Sequence, residues 1–216
     1  MILNTDFYNC DAAILAQKLL GKIIRHNTSN QWLAARIIET EAYYLHEKAS
    51  HASLGFTEKL KALFMPPGTI YMYYARGKDS LNISCQGDGN AVLIKSAIFY
   101  IDKLCHPDSL KIMQQLNPSN NGLPRAAEKL CAGQTLLCQS LNLKVKDWDQ
   151  KAFNKNQLFI DDVGHEVSNI IQTTRLGIPT GRDEHLMLRF IDERDARYCS
   201  KNPLTQRHPK YKRLKK

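Results

Sequence analysis

Between Arg36 and Tyr43 the chain reads Arg-Ile-Ile-Glu-Thr-Glu-Ala-Tyr, an alternation that reads as a β-strand. Successive side chains of a regular strand point to opposite faces. Ile37, Glu39, Glu41 and Tyr43 should therefore share one face, and Ile38, Thr40 and Ala42 the other. Two carboxylates and an aromatic ring are an odd choice for a face that meets a core. Burying an unpaired carboxylate costs on the order of several kcal/mol, so such a face is either wet or functional. Downstream come His51, the run Tyr71-Met72-Tyr73-Tyr74, and Asn82. Acids, rings, an imidazole and an amide together suggest a pocket that stacks a flat ligand and activates water beside it. The plainer alternative is a solvated strand whose glutamates pair with Lys or Arg, and charge pattern alone favours it.

The rest of the chain is that of an ordinary globular protein. It has 216 residues, 43% of them hydrophobic and 24% charged, enough for one domain with a sizeable core. No apolar run reaches the length of a membrane span, and the first residues lack the order of a signal peptide, so a cytoplasmic location is expected. The six cysteines form no CxxC pair and are read as reduced, mostly buried, small apolar residues. The seven histidines have no partner at ligand spacing, and no metal site is expected. The net charge of +9 is unevenly placed. Seven of the 30 basic residues follow position 200 (Lys201, Arg207, Lys210, Lys212, Arg213, Lys215 and Lys216), leaving 23 against 21 acids in the body. A basic tail of this kind fits a polyanion, chiefly nucleic acid, although solvated basic termini are common.

Taken in order, the chain predicts a short helix from Asp11 to Gly21, with Ile14, Leu15 and Leu19 facing a core. A strand at Lys22–Arg25, a polar turn at Asn27–Asn30 and a return strand from Trp32 to Tyr43 make a hairpin. A long loop from Leu45 to Pro67 precedes strands at 69–74, 81–84 and 91–94 joined by short turns. Two helical pieces are expected within 98–116 and two more within 126–143, around Gly133. Short strands are expected at 158–160, 175–178 and 186–191. The sum is a mixed α+β single domain, a curved and largely antiparallel sheet with helices packed round it, over residues 1–202, with 203–216 as the basic tail.

Several motifs together resemble the alkyladenine (3-methyladenine) DNA glycosylase family, in a bacterial-type form. They are Glu39-Thr40-Glu41-Ala42-Tyr43, Ser50-His51, Pro67-Gly68-Thr69, Tyr71-x-Tyr73, Asn82-Ile83-Ser84 with Gln86-Gly87-Asp88-Gly89, and Val92-Leu93-Ile94-Lys95. Arg175-Leu176-Gly177 and Leu188-Arg189-Phe190 look like its later landmarks. The resemblance implies a monofunctional enzyme of base excision repair. Such an enzyme flips an alkylated or deaminated purine out of duplex DNA and hydrolyses its N-glycosidic bond. 3-Methyladenine, 7-methylguanine, hypoxanthine and ethenoadenine are the substrates it implies. Glu41 falls on the catalytic carboxylate, and Lys95 falls where an Arg commonly helps to hold the attacking water. Tyr43 and His51 fall on one wall of the base pocket, Tyr73 on the opposite wall, and Asn82 where it crowds the exocyclic amine of guanine. Arg76 stands where a Tyr commonly fills the gap left by the flipped nucleotide, with Tyr74 as the alternative. Water is the nucleophile, so no metal, organic cofactor or Schiff-base lysine is implied, and the protein is expected to be a monomer.

Among the neighbouring residues, Glu39 reads as a structural ion pair. Tyr71 is assigned to packing, on the face away from Tyr73. Two rivals compete with the glycosylase reading. One is a non-catalytic nucleic-acid-binding module on the same fold, and the other is a small-molecule glycoside or nucleoside hydrolase using Glu39 and Glu41 as acid and base.

Overall fold

The computed structural model describes every residue except Pro209 and Lys216, so one cation of the basic tail lies outside the described residues. The second strand is the hub. β1 (Ile23–Thr28) turns through Ser29 and Asn30, both at positive φ (52° and 61°), into β2 (Gln31–Tyr43). That left-handed pair matches the twist of the strands it joins. β3 (Ile70–Ala75), β4 (Lys78–Ser84) and β5 (Ala91–Tyr100) form a meander whose last strand pairs with β2. β6 (Leu158–Asp161) covers the other side of β1. β8 (Arg189–Asp192) pairs with β2 beyond the end of β1, followed outward by β7 (Asn169–Thr173) and β9 (Tyr211–Lys215). All these pairings are antiparallel, and the described strands form one open sheet.

Helices cover one face. α1 (Thr5–Tyr8) leads into α2 (Ala12–Leu19), where the Asp11 carboxylate caps the amides of Ala13 and Ile14. α3 (Ser109–Leu116), α4 (Gln134–Ser140) and α5 (Val145–Trp148) complete the layer. The main core lies between this layer and the sheet, with Leu15, Leu19, Ile37, Ile83, Ile94, Leu137 and Phe190 buried in it. Ile14, expected to face the core, is instead 52% exposed. The six cysteines are free and five are buried, as expected.

Three expectations give way to register. Ile98–Tyr100 is strand and not helix, because β5 runs along β2 as far as the Ala34–Tyr100 pair; the helix begins only at Ser109. Arg175–Ile178 is a loop, whose local bonds serve the site described below. The most consequential is a bulge. β2 and β5 keep one register up to Ile37–Ala97 and resume it at Thr40–Ile94, with only Glu39–Ser96 paired between. Ile38 and Lys95 are each an extra residue, and each extra residue shifts the phase of its strand. Ile37 therefore joins the main core. Ile38, expected on the face opposite Glu39, packs with Ile171 and Ile191 on the sheet's other face, where Glu39 also lies. On β5, Lys95 and Ser96 both reach the carboxylates of β2, while Ile94 and Ala97 stay in the core.

The basic C-terminal segment adds the edge strand: β9 pairs with all five residues of β7, and Arg213 bonds Glu193.

Candidate active site

A cavity of about 880 Å³ opens where β2, β3, β4 and β5 meet the loops at 49–54 and 176–182. Its lining includes Tyr43, His51, Tyr71, Tyr73, Asn82 and Lys95. Strand pairing sets several of these side by side: Tyr71 on β3 faces Asn82 on β4, which in turn faces Leu93 on β5.

Glu41 lies under this lining and is fully buried. Its Oε2 accepts from the Tyr43 hydroxyl at 2.9 Å and from Lys95 Nζ at 3.3 Å, and its Oε1 accepts from the Leu176 amide at 3.1 Å. A carboxylate offers about four acceptor positions. Three are used, and the fourth is on Oε1. Burial and the adjacent Glu41 charge raise the Tyr43 phenol well above its ordinary pKa, so Tyr43 stays a donor.

Glu39, two residues earlier, is equally buried but fully occupied. Arg189 Nε at 2.5 Å and Ser200 Oγ at 2.8 Å bond its Oε1. Ser96 Oγ at 2.5 Å and the Ser200 amide at 2.8 Å bond its Oε2. It does not line the cavity. This is the structural ion pair the sequence suggested.

The aromatic residues are arranged differently from the expectation. His51, expected on the Tyr43 wall, is in ring contact with Tyr73. Its ring meets Tyr73 edge-on with centroids 4.5 Å apart, too close for a base to pass between. The cause is Tyr71, whose hydroxyl lies 2.9 Å from His51 Nδ1 and whose ring stacks on Tyr73 at 5.7 Å. Tyr71 is thus a site residue that the sequence reading assigned to packing. Positions 71 and 73 are two apart on one strand and so share a face. Burial, and then the charge of Arg182, lower the His51 pKa; burial raises that of Tyr71. Both causes favour the neutral ring of His51. Gln134 from α4 donates to the Tyr73 hydroxyl at 3.4 Å, and Asn82 Nδ2 donates to the Tyr71 carbonyl at 3.3 Å.

Arg76 occupies the tight β3–β4 turn at φ 52°, is exposed, and lines the cavity mouth. Tyr74 is 60% exposed and is not part of the lining. Among the described residues no cluster of three or more His, Cys, Asp or Glu could hold a metal, and no helix is long and apolar enough to cross a membrane.

Residues 6–196 match the family model described as Methylpurine-DNA glycosylase (MPG). The chain belongs to the methylpurine-DNA glycosylase family. It is 61% identical to a protein of Pseudomonas syringae pv. syringae, over 92% of this chain and 89% of that one. It is 59% identical to one of Pseudomonas aeruginosa, over 92% and 83%. A more distant relative from Clostridium botulinum is 32% identical, over 82% and 88%. All three carry the words 3-methyladenine DNA glycosylase in their names. Membership makes this chain an enzyme of the DNA-glycosylase class, with DNA as its substrate. Within this glycosylase, Arg175-Leu176-Gly177 is more than the landmark its sequence suggests. The fold gives it two contacts at the site, the Leu176 amide on Glu41 and the Arg175 guanidinium 4.5 Å from the Tyr43 ring centroid.

Proposed function

We propose that this protein is a monofunctional purine DNA glycosylase that accepts a flipped base between Tyr43 and the wall of His51, Tyr71 and Tyr73. Glu41 then activates water against the sugar. The observation that carries this reading is the Glu41 carboxylate: buried beside an aromatic cavity, held by three donors, with one acceptor position left over. A water on that position would be oriented by a fixed base, and Lys95 would hold it from the other side. Loss of a purine builds positive charge on the sugar, which a nearby carboxylate stabilises while taking the proton of the attacking water. Alkylation at N3 or N7 makes a purine electron-poor and a better leaving group, so stacking on tyrosine and leaving-group chemistry select in the same direction. Asn82, its amide tied to Tyr71, would crowd the exocyclic amine of guanine.

Of the two candidates for the gap in the stack, the geometry favours Arg76, which lines the mouth where Tyr74 does not. Lys210, Lys212 and Lys215 on or beside the edge strand would add salt-sensitive contacts to the phosphates. The acid–base pair reading loses its ground, because four donors already fill the acceptor positions of Glu39.

The test is single-turnover excision on a duplex carrying one hypoxanthine or one ethenoadenine, alongside methylated DNA. Wild type should release free base, and Glu41→Gln should bind the same duplex and release none. Binding without release from any substrate by wild type would hand the site to the binding module.

A further inference from the structure

Tyr43 has a neighbour that the proposed mechanism does not use. Arg175 is buried beneath it, with no exposed side-chain surface, and does not line the cavity. The guanidinium therefore lies on the side of the ring turned away from the cavity, its carbon 4.5 Å from the ring centroid. Its Nη1 donates to the Ala42 carbonyl at 2.8 Å and lies 2.5 Å from Glu47 Oε2. Among the described residues, Nε and Nη2 find no hydrogen-bond acceptor. A buried cation with two unused donors has the π-face of Tyr43 as its remaining electrostatic partner.

That partnership has a consequence for any ligand on the other face. The attraction between a ring and a cation comes from electron density above and below the ring plane. A guanidinium already on one face draws on that density, and its charge also repels a second cation across the ring. A base stacked at about 3.5 Å on the cavity side would lie about 8 Å from the guanidinium carbon, where two charges in a dry site still interact. Glu47 offsets part of this charge without removing it. Burial raises the Glu47 pKa, which Arg175 opposes, so the pair is not a pair of fully satisfied ions.

Resting on the glycosylase reading above, we propose that Arg175 is a specificity-determining residue that acts through Tyr43. It mutes the tyrosine's preference for cationic alkylpurines, and so levels the site between these and neutral purines such as hypoxanthine. In this site Tyr43 contributes stacking and shape to every flipped purine alike, and charge discrimination is left to the tyrosines of the opposite wall and to leaving-group chemistry.

The experiment compares single-turnover kcat/KM on duplexes carrying 7-methylguanine (cationic) and hypoxanthine (neutral). Arg175→Met alone would strand a buried carboxylate, so the variant is Arg175→Met with Glu47→Gln, checked for folding by its melting curve. The ratio of cationic to neutral excision should rise about two- to thirtyfold, which is the span of a cation–π contact from exposed to desolvated rings. Arg175→Lys, which keeps the charge, should hold the ratio within about twofold of wild type. An unchanged ratio in the double variant, with both activities reduced equally, would leave Arg175 as scaffolding and overturn the proposal. A second variant does not depend on folding at position 175: Tyr43→Leu should lower both activities by the same factor. A markedly larger loss for 7-methylguanine would show an unmuted ring and overturn the proposal directly. Release of neither base by wild type would instead overturn the glycosylase reading itself, an outcome distinct from these.

Discussion

Glu39 and Glu41 are two residues apart on one strand, on one face of one sheet, and both are wholly buried, yet they occupy opposite kinds of site. Glu39 has four donors for about four acceptor positions, two of them from Ser200 and one from a buried arginine. Glu41 has three donors, one of them a phenol and one an amine that both line an open cavity. A saturated carboxylate can only hold structure. One with an acceptor position spare, beside a space large enough for a base, can hold a water molecule and take its proton. Burial alone therefore does not distinguish a catalytic acid from a structural one; the count of donors around it does.

Crossed substitutions at the two positions should give the largest effects. Glu41→Gln is expected to lower the excision rate by a factor on the order of 10² to 10⁴, the usual worth of a general base, with a small change in melting temperature. Glu39→Gln should do the reverse, losing about 3 to 5 kcal/mol of stability because Arg189 is left buried without its counter-charge. What remains folded should stay active. Replacing Glu39 and Arg189 together by apolar residues of similar volume should recover much of that stability. Chemical denaturation and single-turnover excision on the same preparations check both halves. Equal damage to both readouts from both variants would erase the contrast.

A middle-sized effect is expected at Lys95, which belongs to the Glu41 side alone. Lys95→Met should lower excision about tenfold or more, whereas Lys95→Arg should keep most of it, because the cation and its donors remain in reach of the carboxylate. If the arginine variant fell as far as the methionine one, the geometry of the amine and not its charge would be what matters.

The smallest effect is a pH dependence on the cavity wall. Burial and Arg182 hold the His51 pKa below its ordinary value, so the fold favours the neutral ring. Its contribution is complete above the unfolded-state pKa of about 6.5 and is lost as the pH falls through that value toward the folded one. Between pH 7.5 and 5.5 the wild-type melting temperature should therefore fall slightly more than that of His51→Gln, solvent screening keeping the difference small on this exposed residue. Parallel melting curves for the two proteins would remove His51 from the balance.

Much of this was legible in the chain. The Asp11 cap, the β1–β2 hairpin, the β3–β4–β5 meander and the motif set from Glu39 to Lys95 all follow from local spacing, because turn chemistry and alternation act over a few residues. Tyr71 was legible too, since two residues of separation on a strand place it with Tyr73; the sequence reading missed it.

Other features could not be read that way. The bulge that sends Ile38 and Glu39 to the same face, and Lys95 with Ser96 toward the carboxylates, exists only because β2 and β5 pair over their full lengths. The same pairing turns Ile98–Tyr100 into strand. The donors that separate the two glutamates come from the far end of the chain, Leu176 for one and Arg189 and Ser200 for the other, more than 130 residues away. Alternation and motif order alone set which residue types would meet on this face. Only the tertiary structure decided which carboxylate is saturated and which is left with a position for water, because that depends on donors that folding alone brings within hydrogen-bonding distance.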